Sequence, residues 1–91
     1  MGKGRETMFA KQNGDRYRQA LVGIEQKTLV HGDKTLMVEF RLNKDATLPL
    51  HSHPHEQTGY LVSGQILLTI GLEVHEVLPG DRWCIPGGMQ H

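Results

Sequence analysis

The chain has 91 residues, with 10 basic and 10 acidic side chains and a formal net charge of zero. A chain this short fits one domain with a thin core, burying roughly 60–65% of the surface its unfolded form exposes. Balanced charge speaks against duplex nucleic acid or an anionic membrane as partner, and no apolar run is long enough to span a bilayer. The lone cysteine, Cys84, excludes an internal disulfide and points to a reducing, cytoplasmic setting.

Residues 1–19 hold Lys3, Arg5, Lys11, Arg16 and Arg18 against Glu6 and Asp15. They show no sustained period and read as a flexible basic arm or an edge strand, too short a basic run to suggest a nucleic-acid tail. From residue 20 the texture changes. Leu36, Val38, Phe40 and Leu42 alternate with Met37, Glu39 and Arg41, the two-residue period of a strand with one buried face. Ile66, Leu68, Ile70 and Leu72 repeat that pattern, and shorter strand-like runs occupy 20–30, 57–63, 74–78 and 82–85. Turn chemistry separates them: His31-Gly32-Asp33, Asn43-Lys44-Asp45, Ser63-Gly64, Pro79-Gly80-Asp81 and Pro86-Gly87-Gly88. No segment has the period of a long amphipathic helix. Short strands at close spacing predict an all-β sandwich or barrel over 20–91.

The chemistry concentrates between Leu50 and Gly64, where His51, His53 and His55 cluster ahead of Gln57. His51 and His53 are two apart and share one face of an extended chain; Gln57 keeps that parity if Pro54 leaves the strand regular. His91 follows the Pro86-Gly87-Gly88 turn. Three imidazoles and an amide oxygen suit one borderline divalent ion, such as zinc, nickel, iron, manganese or cobalt, with positions left open for water or substrate. His51, His53, Gln57 and His91 are therefore the candidate metal ligands.

These residues resemble the two cupin motifs. His51, His53, Gln57 and Gly64 match the first, and Gly80, Pro86, Gly88 and His91 the second, with residues 65–79 as the short spacer of compact microbial cupins. The resemblance covers about 20–91 and implies a jelly-roll barrel. Cupins normally continue through further strands beyond the position of His91, so the expected barrel either lacks its last strands or is completed by a partner subunit, as the expected homodimer would allow. Gln57 stands where many cupins carry glutamate. A neutral amide leaves the ion's charge less compensated, which favours Lewis-acid or binding roles over oxygen activation.

The runs Leu29-Val30-His31-Gly32-Asp33, Leu36-Met37-Val38 and His51 to Gln57 are similar to small cupins of pectin and alginate breakdown. That resemblance implies conversion of a 4,5-unsaturated uronate to an open-chain keto acid at a His-His-Gln-His site. A non-catalytic metal or small-molecule binding module is the alternative, and an iron dioxygenase the third. Plainer readings hold elsewhere. His55 is expected at the pocket rim or the surface, Glu56 outside, Trp83 in the core, Arg82 solvated and Cys84 a buried small hydrophobe, while His31 and His75 read as turn and surface residues. No acid–base residue can be assigned.

Overall fold

The computed structural model describes residues 8–91. Lys3, Arg5 and Glu6 of the basic segment lie outside the described residues. Seven strands run in chain order: β1 Arg18–Leu21, β2 Ile24–His31, β3 Leu36–Leu42, β4 Gln57–Tyr60, β5 Ile66–Ile70, β6 Glu73–Val77 and β7 Arg82–Ile85. The chain divides after Leu48 into two compact units.

The first unit is a three-stranded antiparallel sheet in the order β1-β2-β3. The apolar run expected at 20–30 breaks at Val22-Gly23, where a tight turn separates β1 from β2. The β2–β3 register pairs Lys27 with Glu39 and Glu25 with Arg41 on one face, and Gln26 with Phe40 on the other, before shifting between Thr28 and Val30. Among the described residues of this unit, Ile24 is the buried hydrophobic one. The alternation of Leu36, Phe40 and Leu42 does produce a strand, but these residues are 65%, 47% and 45% exposed. Periodicity fixes which side chains share a face; a covering layer decides whether the face is buried.

A polar clamp crosses the charged face. The Lys27 ammonium donates to the Asn13 carbonyl at 2.7 Å and to Asn13 Oδ1 at 2.8 Å, and lies 5.0 Å from the centre of the Tyr17 ring. The Arg41 guanidinium sits 3.9 Å from the same ring. The Tyr17 hydroxyl donates to Glu39 Oε1 at 2.8 Å, and Arg41 Nε pairs with Glu39 Oε2 at 3.2 Å. The described part of the segment expected to be a flexible arm or an edge strand is thus held to the sheet at Asn13 and Tyr17, and its last two residues, Arg18 and Gln19, belong to β1. Burial of Lys27 is offset by the two Asn13 oxygens and the Tyr17 ring that meet its ammonium.

The second unit, Pro49–His91, contains two antiparallel ribbons, β4-β7 and β5-β6. The strand expected to run to Leu72 stops at Ile70, because Gly71 and Leu72 form the turn into β6. The Pro79-Gly80 turn is braced by Asp81, whose carboxylate accepts the Leu78 N–H at 2.8 Å. Ladder-like bonds continue past the ends of β4 and β7: Leu61 N–H donates to the Asp81 carbonyl at 3.0 Å and Gly80 N–H to the Leu61 carbonyl at 2.9 Å. Val77 and Ile85 are buried. Within the β4–β7 ribbon, Gly59 faces Trp83 and Gln57 faces Ile85. A side chain at Gly59 would collide with the Trp83 indole, so glycine is required there by close approach.

Candidate metal centre

The site lies within the second unit and is assembled mainly by the main chain. His51 and His91 exchange backbone hydrogen bonds: His51 N–H to the His91 carbonyl at 2.8 Å, and His91 N–H to the His51 carbonyl at 2.9 Å. Gly88 N–H reaches the His53 carbonyl at 2.7 Å. Gly88 has φ of 80°, a left-handed value that favours glycine, and here it turns the chain after Pro86 so that 88–91 runs beside 51–53. On the other side, the Gln90 carbonyl accepts Gly71 N–H at 2.8 Å. The segment carrying His91 is therefore pinned to the histidine-rich segment and to the β5–β6 turn.

The three imidazoles converge. Ring centres lie 4.3 Å apart for His51 and His91, 5.0 Å for His53 and His91, and 5.7 Å for His51 and His53. One nitrogen from each ring can be chosen so that all three lie within 4.8 Å of one another. Donors about 2.1 Å from a common ion stand at most roughly 4.2 Å apart, so the three are close to coordination distance.

Each ring is also oriented in the same way. Nδ1 of His51 meets the Pro49 carbonyl at 3.1 Å, Nδ1 of His53 the His55 carbonyl at 3.0 Å, and Nδ1 of His91 the Met89 carbonyl at 3.0 Å. A carbonyl can only accept, so Nδ1 carries the proton in all three and Nε2 keeps a free lone pair in the neutral ring. This is how metal-binding histidines are commonly held, with the non-ligating N–H fixed by a backbone oxygen. His91 Nε2 is buried and has no hydrogen-bond partner.

Gln57, at the start of β4, places Oε1 3.0 Å from His53 Nε2. In the neutral tautomer set by the His55 carbonyl, that contact brings two acceptors together. A proton or a cation between them, or rotation of the amide to present its NH2, makes it favourable. Two donors bound at right angles to an ion about 2.1 Å away would stand about 3 Å apart. The residues present therefore fit a divalent ion, with His51, His53 and His91 as the group that could hold it and Gln57 as an adjacent amide donor.

The neighbouring groups take other roles. His55 is exposed, and its contribution is the carbonyl that orients His53 rather than its ring. Glu56 points to the other face of the ribbon, beside Cys84. Cys84 is exposed rather than buried. Local desolvation, then the negative charge and hydrogen bond of Glu56, push its thiol pKa up, so it stays protonated and is a poor nucleophile. Trp83 is half-buried over Gly59 instead of being enclosed in the core, and its Nε1 is a second buried polar atom without a partner. The orienting carbonyls of Pro49, His55 and Met89 were not foreseen; they depend on loop conformation, which leaves no residue-type signal. The cross-strand pairing of a glycine with Trp83 was the one available clue to that residue.

An all-β chain with three converging, backbone-oriented imidazoles on extended segments has the features of a cupin with a candidate metal site. Residues 38–91 match the family model described as Cupin domain, so the chain belongs to the cupin family. Among solved structures it is similar to "The structure of KdgF from Halomonas sp.", with a TM-score of 0.80, 23% sequence identity, and coverage of 84% of this chain and 70% of that one. This likeness establishes a shared fold. No curated protein matches the sequence. Among the described residues no helix is long and apolar enough to cross a membrane.

Proposed function

We propose that the protein binds one divalent metal ion through His51, His53, Gln57 and His91 and acts on a small oxygen-rich substrate, with opening of a 4,5-unsaturated uronate as the preferred reaction. The observation that carries this reading is the common orientation of the three rings, each with Nδ1 on a backbone carbonyl. The resemblance of the 29–57 region to uronate-opening cupins supplies the substrate class.

A bound ion of this kind is a Lewis acid that polarises hydroxyl or carboxylate oxygens. The chain's part is to hold the site ready. The carbonyls of Pro49, His55 and Met89 keep the imidazole lone pairs inward, so little reorganisation accompanies binding. Gln57 adds an oxygen without adding charge, which leaves the site more electrophilic than one containing glutamate. Ile85, directly across the ribbon from Gln57, is buried and gives Gln57 an apolar neighbour. The conversion is an isomerisation to an open-chain keto acid and needs no co-substrate.

Elemental analysis of purified wild type and His51→Ala tests the metal. One ion per chain in the wild type and a large loss in the variant are expected. Decay of conjugated-uronate absorbance, with and without metal, tests the reaction; a rate no higher than background in the metal-loaded protein would reject it. A non-catalytic binding module is the second reading. It is favoured by the position of Glu56, which lies beside Cys84 rather than with the imidazoles. Binding of a small acid without turnover would establish it. An iron dioxygenase is disfavoured by the neutral Gln57, and oxygen uptake after anaerobic iron loading would reinstate it. A homodimer is also proposed, since Leu36, Phe40 and Leu42 lie exposed on β3; light scattering that shows a monomer would remove it.

A further inference from the structure

The three candidate ligand rings are held in two different ways. His51 and His91 each take the carbonyl two residues before them, that of Pro49 and that of Met89. His53 takes the carbonyl two residues after it, that of His55. Its ring is therefore set only when the chain bends back at Pro54 and His55. Neither residue belongs to a strand, so no ladder holds that bend in shape, and its form depends on what it rests against.

It rests against the Pro86-Gly87-Gly88 turn, whose two glycines are required for different reasons. A Cβ at Gly88 would meet open space, but φ there is 80°, which disfavours an L side chain. Gly87 has no left-handed φ, so its backbone would accept alanine. A Cβ at Gly87 would instead overlap the Pro54 carbonyl oxygen, with the Pro54 carbonyl carbon at 3.1 Å and the His55 carbonyl carbon at 3.7 Å. These are main-chain atoms and cannot swing aside as the tip of a side chain can. The bend thus lies directly on the bare face of Gly87, while Gly88 N–H grips the same segment at the His53 carbonyl, 2.7 Å away.

We propose that Gly87 is a positioning residue of the metal centre. By carrying no side chain, it admits the 54–55 bend to the depth that puts the His55 carbonyl on His53 Nδ1 and leaves Nε2 for the ion. It touches neither ion nor substrate and acts through His53. The inference rests on the metal reading above and goes beyond the cupin motif resemblance, which involves Gly88 and not Gly87.

The test compares wild type with Gly87→Ala and, as a control for lost stability, with Gly59→Ala, whose methyl group meets the Trp83 indole rather than main chain. Heteronuclear NMR of the metal-free proteins, at a pH where the rings are neutral, reads which nitrogen of each histidine carries the proton. Competition with a chromogenic chelator reads zinc affinity. In Gly87→Ala, His53 should lose its preference for a proton on Nδ1, while His51 and His91 keep theirs because their carbonyl partners are local. Zinc affinity should fall about 10–100-fold, the usual cost of losing a ligand's orienting partner. Gly59→Ala should lower Tm but keep all three tautomers and the wild-type zinc affinity.

An unchanged His53 tautomer in Gly87→Ala, or a zinc affinity within about twofold of wild type, would overturn the proposal and leave the metal reading standing. An equal loss of zinc affinity in Gly59→Ala would also overturn it, by tracing the effect to stability. If Gly87→Ala fails to fold, the wild type decides. Nuclear Overhauser contacts between the Gly87 α-protons and His55, with the His53 proton on Nδ1, uphold the proposal, and absence of either overturns it. Failure of the wild type to take up zinc would reject the metal reading and this inference with it.

Discussion

The two units use polar side chains in opposite ways. In the first, Lys27, Tyr17, Glu39 and Arg41 satisfy one another: each charge has an oxygen or ring against it, and the cluster closes on itself. In the second, the imidazoles of His51, His53 and His91 spend one nitrogen on the backbone and direct the other inward, where His91 Nε2 and Trp83 Nε1 are left without partners. A closed network stabilises and has nothing left to offer a ligand. An open one carries unmet donor and acceptor capacity, which is what binding requires. Clusters of charged residues are therefore weak pointers to a site by themselves; unspent hydrogen-bonding capacity is the better one.

The sharpest way to break this contrast is His53→Ala. Loss of an orienting partner alone commonly lowers metal affinity 10–100-fold, so removing a ligand should lower it by at least about 100-fold. Competition with a chromogenic chelator measures this, and tight stoichiometric metal in the variant would place the ion elsewhere. Gly59→Ala forces a methyl group into the Trp83 indole and should destabilise by about 2 kcal/mol, seen as a fall in Tm of roughly 8–16 °C. Gln57→Glu should tighten metal binding by about tenfold, the added negative charge outweighing the loss of the amide. Lys27→Met removes the ammonium that holds Asn13 and should cost about 1 kcal/mol while leaving metal content unchanged. A loss of metal in that variant would show that the first unit is not merely structural.

The smallest effect is a pH dependence in the first unit. The Tyr17 hydrogen bond, followed by the bond from Arg41 and the charges of Arg41 and Lys27, holds the Glu39 carboxyl below its usual range despite opposing desolvation. A depressed folded-state pKa contributes stability that is present above the unfolded value and is lost as pH falls through the folded one. Tyr17→Phe removes the largest of these influences, so acid unfolding of the variant should begin at higher pH than in wild type. Coincident acid-unfolding curves would show that the hydroxyl has no such role.

The strands were legible because their residues alternate. Leu36 to Leu42 and Ile66 to Ile70 carry the two-residue period, and the Gly-, Pro- and Asn-containing turns lie between elements. The candidate ligands were legible because imidazoles at 51 and 53 share a face and the cupin motif resemblance adds Gln57 and His91. What escaped the sequence depends on partners far along the chain. Lys27 is buried through Asn13 and Tyr17, and nothing in residues 24–31 alone announces it. Cys84 was expected inside, but it shares its face with Glu56, and alternation cannot say which face of a two-stranded ribbon is covered. Trp83 was expected in the core because large aromatics are usually enclosed; Gly59 opposite it leaves room for the ring without enclosing it.

The reciprocal backbone bonds between His51 and His91 have a consequence for the order of events in synthesis. No local segment contains the whole site. A nascent chain that has emerged only through Gln57 presents two imidazoles and one amide on an extended, unbraced stretch, a poor competitor for cellular metal. The full donor set exists only after residues 88–91 have left the ribosome and docked beside 51–53. A metal ion bound by this donor set would therefore find all of its ligands only after this region has been translated.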